Sequence, residues 1–345
     1  MSNLSRYKVP ALVLVIALLI LFPADLTGLG IPWSGLRRYG LYILSLWLVT
    51  SVAAMGVNLI MGYAGQETLA QAAFLGIGAY TTALFTTTLG MPWFVAFLMS
   101  GVFSFFVGVV LGFPALRVQK HYLAFVTLAF SVFVWLVIRN EQWLTGGVFG
   151  IQDIPRPVIL GIKTRPPLIF YWFVLAITAL LTFVMWWILR SPWGRAFTAL
   201  RENPTRAESL GIDVRGYKLL AFAIGSAYGG FAGALYAPLV EFIDPAPFAL
   251  GPSLIYLLMI LVGGMGTFAG PFIGAAVAVL LPEWLRFAEG LAPIIFAVLV
   301  MIMVAFAPRG IVGLVERLLK PPRRPHADDK GPTLGSSTGA GKVQA

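Results

Sequence analysis

Apolar residues run along this 345-residue chain in long unbroken blocks and do not alternate with polar ones. Ten blocks stand at 9–29, 39–61, 66–89, 92–113, 121–138, 167–189, 217–240, 251–266, 268–287 and 291–307. A helix of about twenty residues crosses roughly 30 Å of hydrocarbon, and backbone in lipid must pair its own polar groups. Each block therefore predicts a membrane helix, and the lack of alternation argues against barrel strands. Blocks 66–89 and 251–266 are rich in Gly, Ala and Thr and are expected to be broken or re-entrant, while 268–287 holds Pro271 and Pro282. The first block follows Arg6 and Lys8 as a signal peptide would, but it lacks a small-x-small cleavage site and is read as a span. A polar island, 190–216, separates two blocks and carries five arginines and three acids. It predicts two short helices. Ser191 caps the first, which opens with Pro192; Asn203 caps the second, which opens with Pro204 and stops at Gly211.

The fold class expected is all-α: a polytopic membrane protein of about 8–10 transmembrane or re-entrant helices, in two inverted halves if ten spans divide five and five. Composition agrees, with 59% hydrophobic and 11% charged residues where a soluble domain is nearer a quarter charged. Counting Lys and Arg with the N-terminus inside gives 17 on the inner side and 7 on the outer. Both termini and the 190–216 loop are thus expected in the cytoplasm. Inner loops facing anionic lipid account for the net charge of +10, so no nucleic-acid partner is implied. The membrane domain is expected over 1–320, with a disordered cytoplasmic tail at 321–345 rich in Pro, Gly and Ser. The tail's G-A-G-K fails as a phosphate loop, because Ser336 stands where Gly is needed and Val343 where Ser or Thr is needed. His121 and His326 make no metal motif, and no catalytic nucleophile–base set is visible. With no cysteine in the chain, thiol chemistry is excluded.

Two glycine-rich stretches remain, 62–80 and 263–276. In the first, Gly65, Ala72, Gly76 and Ala79 or Tyr80 fall at helical spacing; in the second, Gly266, Gly270 and Gly274 lie four apart. Small residues let membrane helices approach closely, and that packing is one explanation. The other is that paired broken segments line a solute path, with Gln66, Glu67, Gln71, Gly76, Gly266, Thr267 and Gly270 along it. Glu67, only five residues past Gly62, could also sit solvated at the cytoplasmic mouth.

Several motifs together resemble the permeases of branched-chain amino acid ABC importers, the longer of the two paired permease types. They are Gly62-Tyr63-Ala64-Gly65-Gln66 with Phe74 to Tyr80; Gly194-Arg195-Ala196 through Arg201-Glu202-Asn203-Pro204 to Ile212; Tyr217 to Phe222 with Gly230 and Ala232 to Tyr236; Gly263 to Thr267 with Gly270-Pro271; and Pro308 to Ile311. The resemblance covers roughly 40–312. It implies a transport subunit of a prokaryotic cell membrane, without enzyme activity or cofactor of its own. The implied partners are a second permease, two cytoplasmic ATPase subunits that bind the ATP, and an extracytoplasmic substrate-binding protein. Arg201, Glu202, Asn203, Pro204, Glu208 and Gly211 would form the element that couples to the ATPase. A bland alternative for the loop is an amphipathic segment lying on the membrane surface. The family usually continues Gly-Gln with Leu-Ser-Leu-Gly-His, where this chain has Glu67-Thr68-Leu69-Ala70-Gln71. That departure leaves urea or short amides open as substrates beside hydrophobic amino acids. A rival class is an ion-coupled secondary transporter using Glu67 or Glu283.

Overall fold

The structure is a computed structural model. It describes residues 34–115, 120–159, 162–164, 166–284 and 310–319, and the single positions 295, 297, 298 and 301. The expected span 9–29, nearly all of 291–307 and the tail 321–345 lie outside the described residues.

Helices form where the apolar blocks predict them. They are α1 Ser34–Val57, running into a π-helical turn Asn58–Tyr63, then α2 Gln71–Thr87, α3 Trp93–Ala115 and α4 Lys120–Asn140. After the short α5 Gln142–Thr145 come α6 Pro167–Arg190, the loop helices α7 Pro192–Glu202 and α8 Pro204–Ser209, and α9 Val214–Val240. The described chain closes with α10 Leu250–Gly263, α11 Gly270–Trp284 and α12 Gly310–Leu319. Among the described residues, five stretches are long and apolar enough to cross a membrane: Arg38–Tyr63, Trp93–Pro114, Leu123–Asn140, Pro167–Arg190 and Val214–Val240. The protein is an all-α polytopic membrane protein. Its described strands are β1 Val158–Ile159 and β2 Ile162–Lys163, an antiparallel pair in register Val158 to Lys163.

The centre of the molecule is α9, packed against α1, α2 and α3. Glycines set these distances. A Cβ at Gly56 on α1 would lie 2.5 Å from the Gly225 carbonyl, and one at Gly78 on α2 would overlap the Gly230 carbonyl. Without side chains at these crossings the backbones meet directly, which supplies the dispersion contact that lipid-embedded helices need. On the other side of α1 pack α6 and α11, and α11 folds back on α10.

Both glycine spacings need correction. Gly65 has φ +67, and Gly264 and Gly266 have φ +124 and +74, conformations no helix contains. Gly65 is thus not on the stripe formed by Ala72, Gly76 and Ala79, and Gly266 is not on a stripe with Gly270 and Gly274. The chain breaks at these glycines: residues 65–70 are irregular before α2 begins, and α10 ends at Gly263.

At the end opposite these breaks, Ile151 and Ile243 exchange both backbone hydrogen bonds at 3.0 Å. Arg156 forms an ion pair with Glu241 and lies over the Phe170 ring at 4.9 Å. Glu241 itself adopts φ +61 and ends α9.

Candidate coupling loop and backbone junction

Local chemistry builds the loop between α6 and α9. The Ser191 hydroxyl accepts from Trp193 N at 3.1 Å, satisfying a free donor at the start of α7, where Pro192 has no N–H to lose. On α7, Gly194, Ala196, Phe197 and Leu200 are buried, and Phe197 sets its edge against Tyr217 at 6.3 Å between ring centres. The Asn203 side-chain Oδ1 accepts from Arg206 N at 3.1 Å and caps α8. Gly211 stands past the end of α8 with φ +82, and Ile212 N returns to the Ala207 carbonyl at 3.1 Å. Asp213 then accepts from Arg215 N and Gly216 N, each at 3.1 Å, and starts α9. Both helices, both caps and the glycine stop stand where the sequence predicts them. Ala207 faces inward, while Glu202, Arg206, Glu208 and Ser209 are exposed and Leu210 is 80% exposed.

Arg201 behaves differently. Its Nη1 donates to the Gly62 carbonyl in the π-helical turn, so the side chain crosses from the loop to the first chain break. A Cβ at Gly65 would meet the Arg201 Cα and Cγ at 3.2 Å, and one at Gly266 would overlap the guanidinium. The second break thus sits on the same arginine. Asn58 joins the two breaks: its Nδ2 donates to the Thr267 carbonyl at 2.8 Å, and its Oδ1 accepts from Gly266 N at 2.9 Å. Thr267 in turn accepts from Gly270 N at 3.1 Å and caps α11. Gly310, at the start of α12, rests on Gly264, where a Cβ would lie 2.5 Å from the Gly264 nitrogen.

Of the positions read as a path, the structure brings Gln66, Gly266 and Thr267 to this junction. Gln66 Nε2 donates to the Lys218 carbonyl on α9 at 2.9 Å. Glu67 is exposed at the same end. Gln71 is elsewhere, buried at the crossing of α1 and α9, with its Nε2 donating to the Ala53 carbonyl at 2.8 Å. Gly76 packs on Phe248 and Ile138, and Gly270 packs on Gly264 within the α10–α11 turn. Asn58 escaped the sequence reading, although a lone amide inside the apolar block 39–61 is a visible signal. A cavity of about 390 Å³ lies between α2, α3 and α4; Tyr80, Leu84, Phe103 and Phe133 line it.

The motifs that drew attention in the sequence, around Gly62, Arg201, Gly266 and Gly310, thus meet in one place. Residues 39–308 match the family described as branched-chain amino acid transport system, permease component. The chain belongs to this family. The permease is 31% identical over 324 residues to the high-affinity branched-chain amino acid transport system permease protein LivM of Escherichia coli K12, covering 87% of this chain and 76% of that one. It is 29% identical over 235 residues to a probable branched-chain amino acid transport permease protein LivM of Methanocaldococcus jannaschii, covering 63% and 67%. The autoinducer 2 import system permease protein LsrC of Salmonella typhi is more distant, at 27% over 179 residues, covering 50% of this chain and 49% of that one. No solved structure matches the permease. As a permease it is a transport subunit and a multi-pass protein of the cell membrane.

Proposed function

We propose that this chain is a membrane subunit of an ATP-binding cassette importer that brings branched-chain or other hydrophobic amino acids into the cell. In this reading a second permease completes the path. Two cytoplasmic ATPase subunits hydrolyse the ATP, one of them docking on the 190–216 loop, and a binding protein delivers solute at the opposite end. Both termini lie in the cytoplasm. The observation that carries the reading is the outer face of α8. A lone exposed leucine is ordinary on a protein surface. Leu210, however, stands at the tip of a loop fixed by two side-chain caps, two prolines and a glycine stop, close to exposed Arg206 and Glu208. Local geometry this closely specified makes a rigid rod, about 9 Å long at 1.5 Å per residue, suited to moving as a body with a partner. The relatives' names support the substrate class and, in the LsrC proteins, the inward direction. The departure of 67–71 from the family's usual run keeps urea or short amides as a second reading within the same family.

Neither acid available to an ion-coupled transporter stands in mid-span. Glu67 is exposed beside the junction, and Glu283, at the far end of α11, accepts from the Tyr39 hydroxyl at 2.7 Å. The test is to purify the chain from native membrane and reconstitute what accompanies it. ATPase subunits and a second permease should co-purify, and uptake of labelled leucine, isoleucine or valine should need ATP. Uptake by the chain alone, driven by a proton gradient, would sink the proposal; ATP-driven uptake of urea or acetamide in place of leucine would select the second reading.

A further inference from the structure

Orphaned backbone groups explain why the junction exists. The π turn and the irregular stretch after it leave the Gly62 carbonyl without a helical partner: Gln66 N, which would serve it in an α-helix, bonds to the Ile60 carbonyl at 3.0 Å instead. Past the end of α10, Gly266 N has no helical acceptor either. Such part-buried backbone groups need partners. Arg201 supplies one and Asn58 the other. Three glycines clear the space: a Cβ at 62 would overlap the Asn58 oxygen, one at 65 would press on Arg201, and one at 266 would displace its guanidinium. The loop also rests on its neighbours: Phe197 packs on Tyr217 of α9, and a Cβ at Gly194 would overlap the Leu189 carbonyl of α6. Ser191 and Asp213, at its two ends, are extended, so neither α6 nor α9 continues into it as one rigid helix.

We propose that Arg201 is a positioning residue that makes the cytoplasmic loop and both chain breaks one mechanical unit. Displacement of the loop then reaches the inner ends of α1 and α10 through the Arg201–Gly62–Gly266–Asn58 joint as well as through the flanking helices. The planar, always charged guanidinium is well shaped for such a joint, since it can hold a carbonyl while lying against a glycine backbone, which an ammonium point charge does less well. The inference rests on the ABC-importer reading. It turns Arg201 from a residue that faces the ATPase into one that faces the membrane domain, leaving Glu208 and Leu210 to the partner.

The test uses the whole transporter in proteoliposomes and reads uptake of labelled leucine, isoleucine and valine per ATP hydrolysed. Arg201→Met keeps the stem and should lower that ratio at least tenfold. Arg201→Lys should recover part of it, and Asn58→Ala should lower it as well. A second readout needs no solute. In this cysteine-free chain, Glu67→Cys should react with a maleimide at rates that differ between the nucleotide-free and vanadate-trapped complexes. With Arg201→Met added, that difference should vanish. If Arg201→Met lowers yield but leaves both the ratio and the nucleotide-dependent labelling as in wild type, Arg201 is structural packing and the inference is overturned. A wild-type complex without ATP-driven uptake of these amino acids, urea or acetamide would overturn the functional reading and this inference together.

Discussion

Open space surrounds Gly211, so only its backbone resists a side chain there. An L-residue in the left-handed region costs about 1–2 kcal/mol, and a β-branched one more. Gly211→Val should therefore tilt the end of α8 and reduce ATP-driven uptake severalfold, whereas Gly211→Asn should be tolerated, since Asn visits this region readily. Expression in the membrane should hold for both, which a paired assay of abundance and transport will check. Glu208→Arg reverses an exposed charge without touching the fold and should weaken recovery of the ATPase with the permease in pull-down. At this scale the loop was legible in advance because caps, Pro and Gly act within three residues of themselves. The reach of Arg201 to Gly62 and the bridge from Asn58 to Gly266 were not. Their partners are 139 and 208 positions away, and no local preference records such a contact.

Helix crossings follow a similar division. The positions of α3, α4, α6 and α9 were readable to within a few residues, because block length and composition decide whether a stretch suits hydrocarbon. Which glycine governs which crossing was not readable. Gly76 was singled out, yet its nearest obstacles are side chains, the Phe248 ring at 2.9 Å and the Ile138 methyl at 3.1 Å. At Gly78 the obstacle is the backbone of Gly230. Side chains can turn aside and a helix backbone cannot. Overpacking typically costs about 1–3 kcal/mol, so Gly78→Ala should lie at or above the top of that range and Gly76→Ala near its bottom. Thermal unfolding of the two purified variants in detergent should show the larger loss of Tm for Gly78→Ala. Equal losses would mean that α2 and α9 can slide apart freely.

For the molecule as a whole, the charge asymmetry put the 190–216 loop and both termini on one side, and the structure sets that loop against 62–66 and 264–267, with Gly310 on Gly264. The same alternation of spans could not say that Gln71 faces inward among helices rather than a passage, because the side a helix turns to its neighbours depends on the neighbours. Thiol labelling should separate the two cases. In the isolated chain Glu67→Cys should react rapidly with a small water-soluble maleimide, while Gln71→Cys, at a position 2% exposed, should stay unmodified. Rapid reaction at 71 would place water between α1, α2 and α9. The central place of α9 also bears on how the protein is made. It is the least apolar of the five spans, with four of its glycines at 225, 229, 230 and 233. Each Gly weakens a helix by about 1 kcal/mol relative to Ala. In the bundle that loss is offset by the close crossings these glycines allow, so α9 depends on α1, α2 and α3 for its place. It leaves the ribosome after α1, α2 and α3, so a slot bounded by those helices has to wait in the bilayer for it. A nascent chain stopped short of residue 214 would lack the helix on which all three pack, and the backbone crossings at Gly56 and Gly78 form only once it arrives.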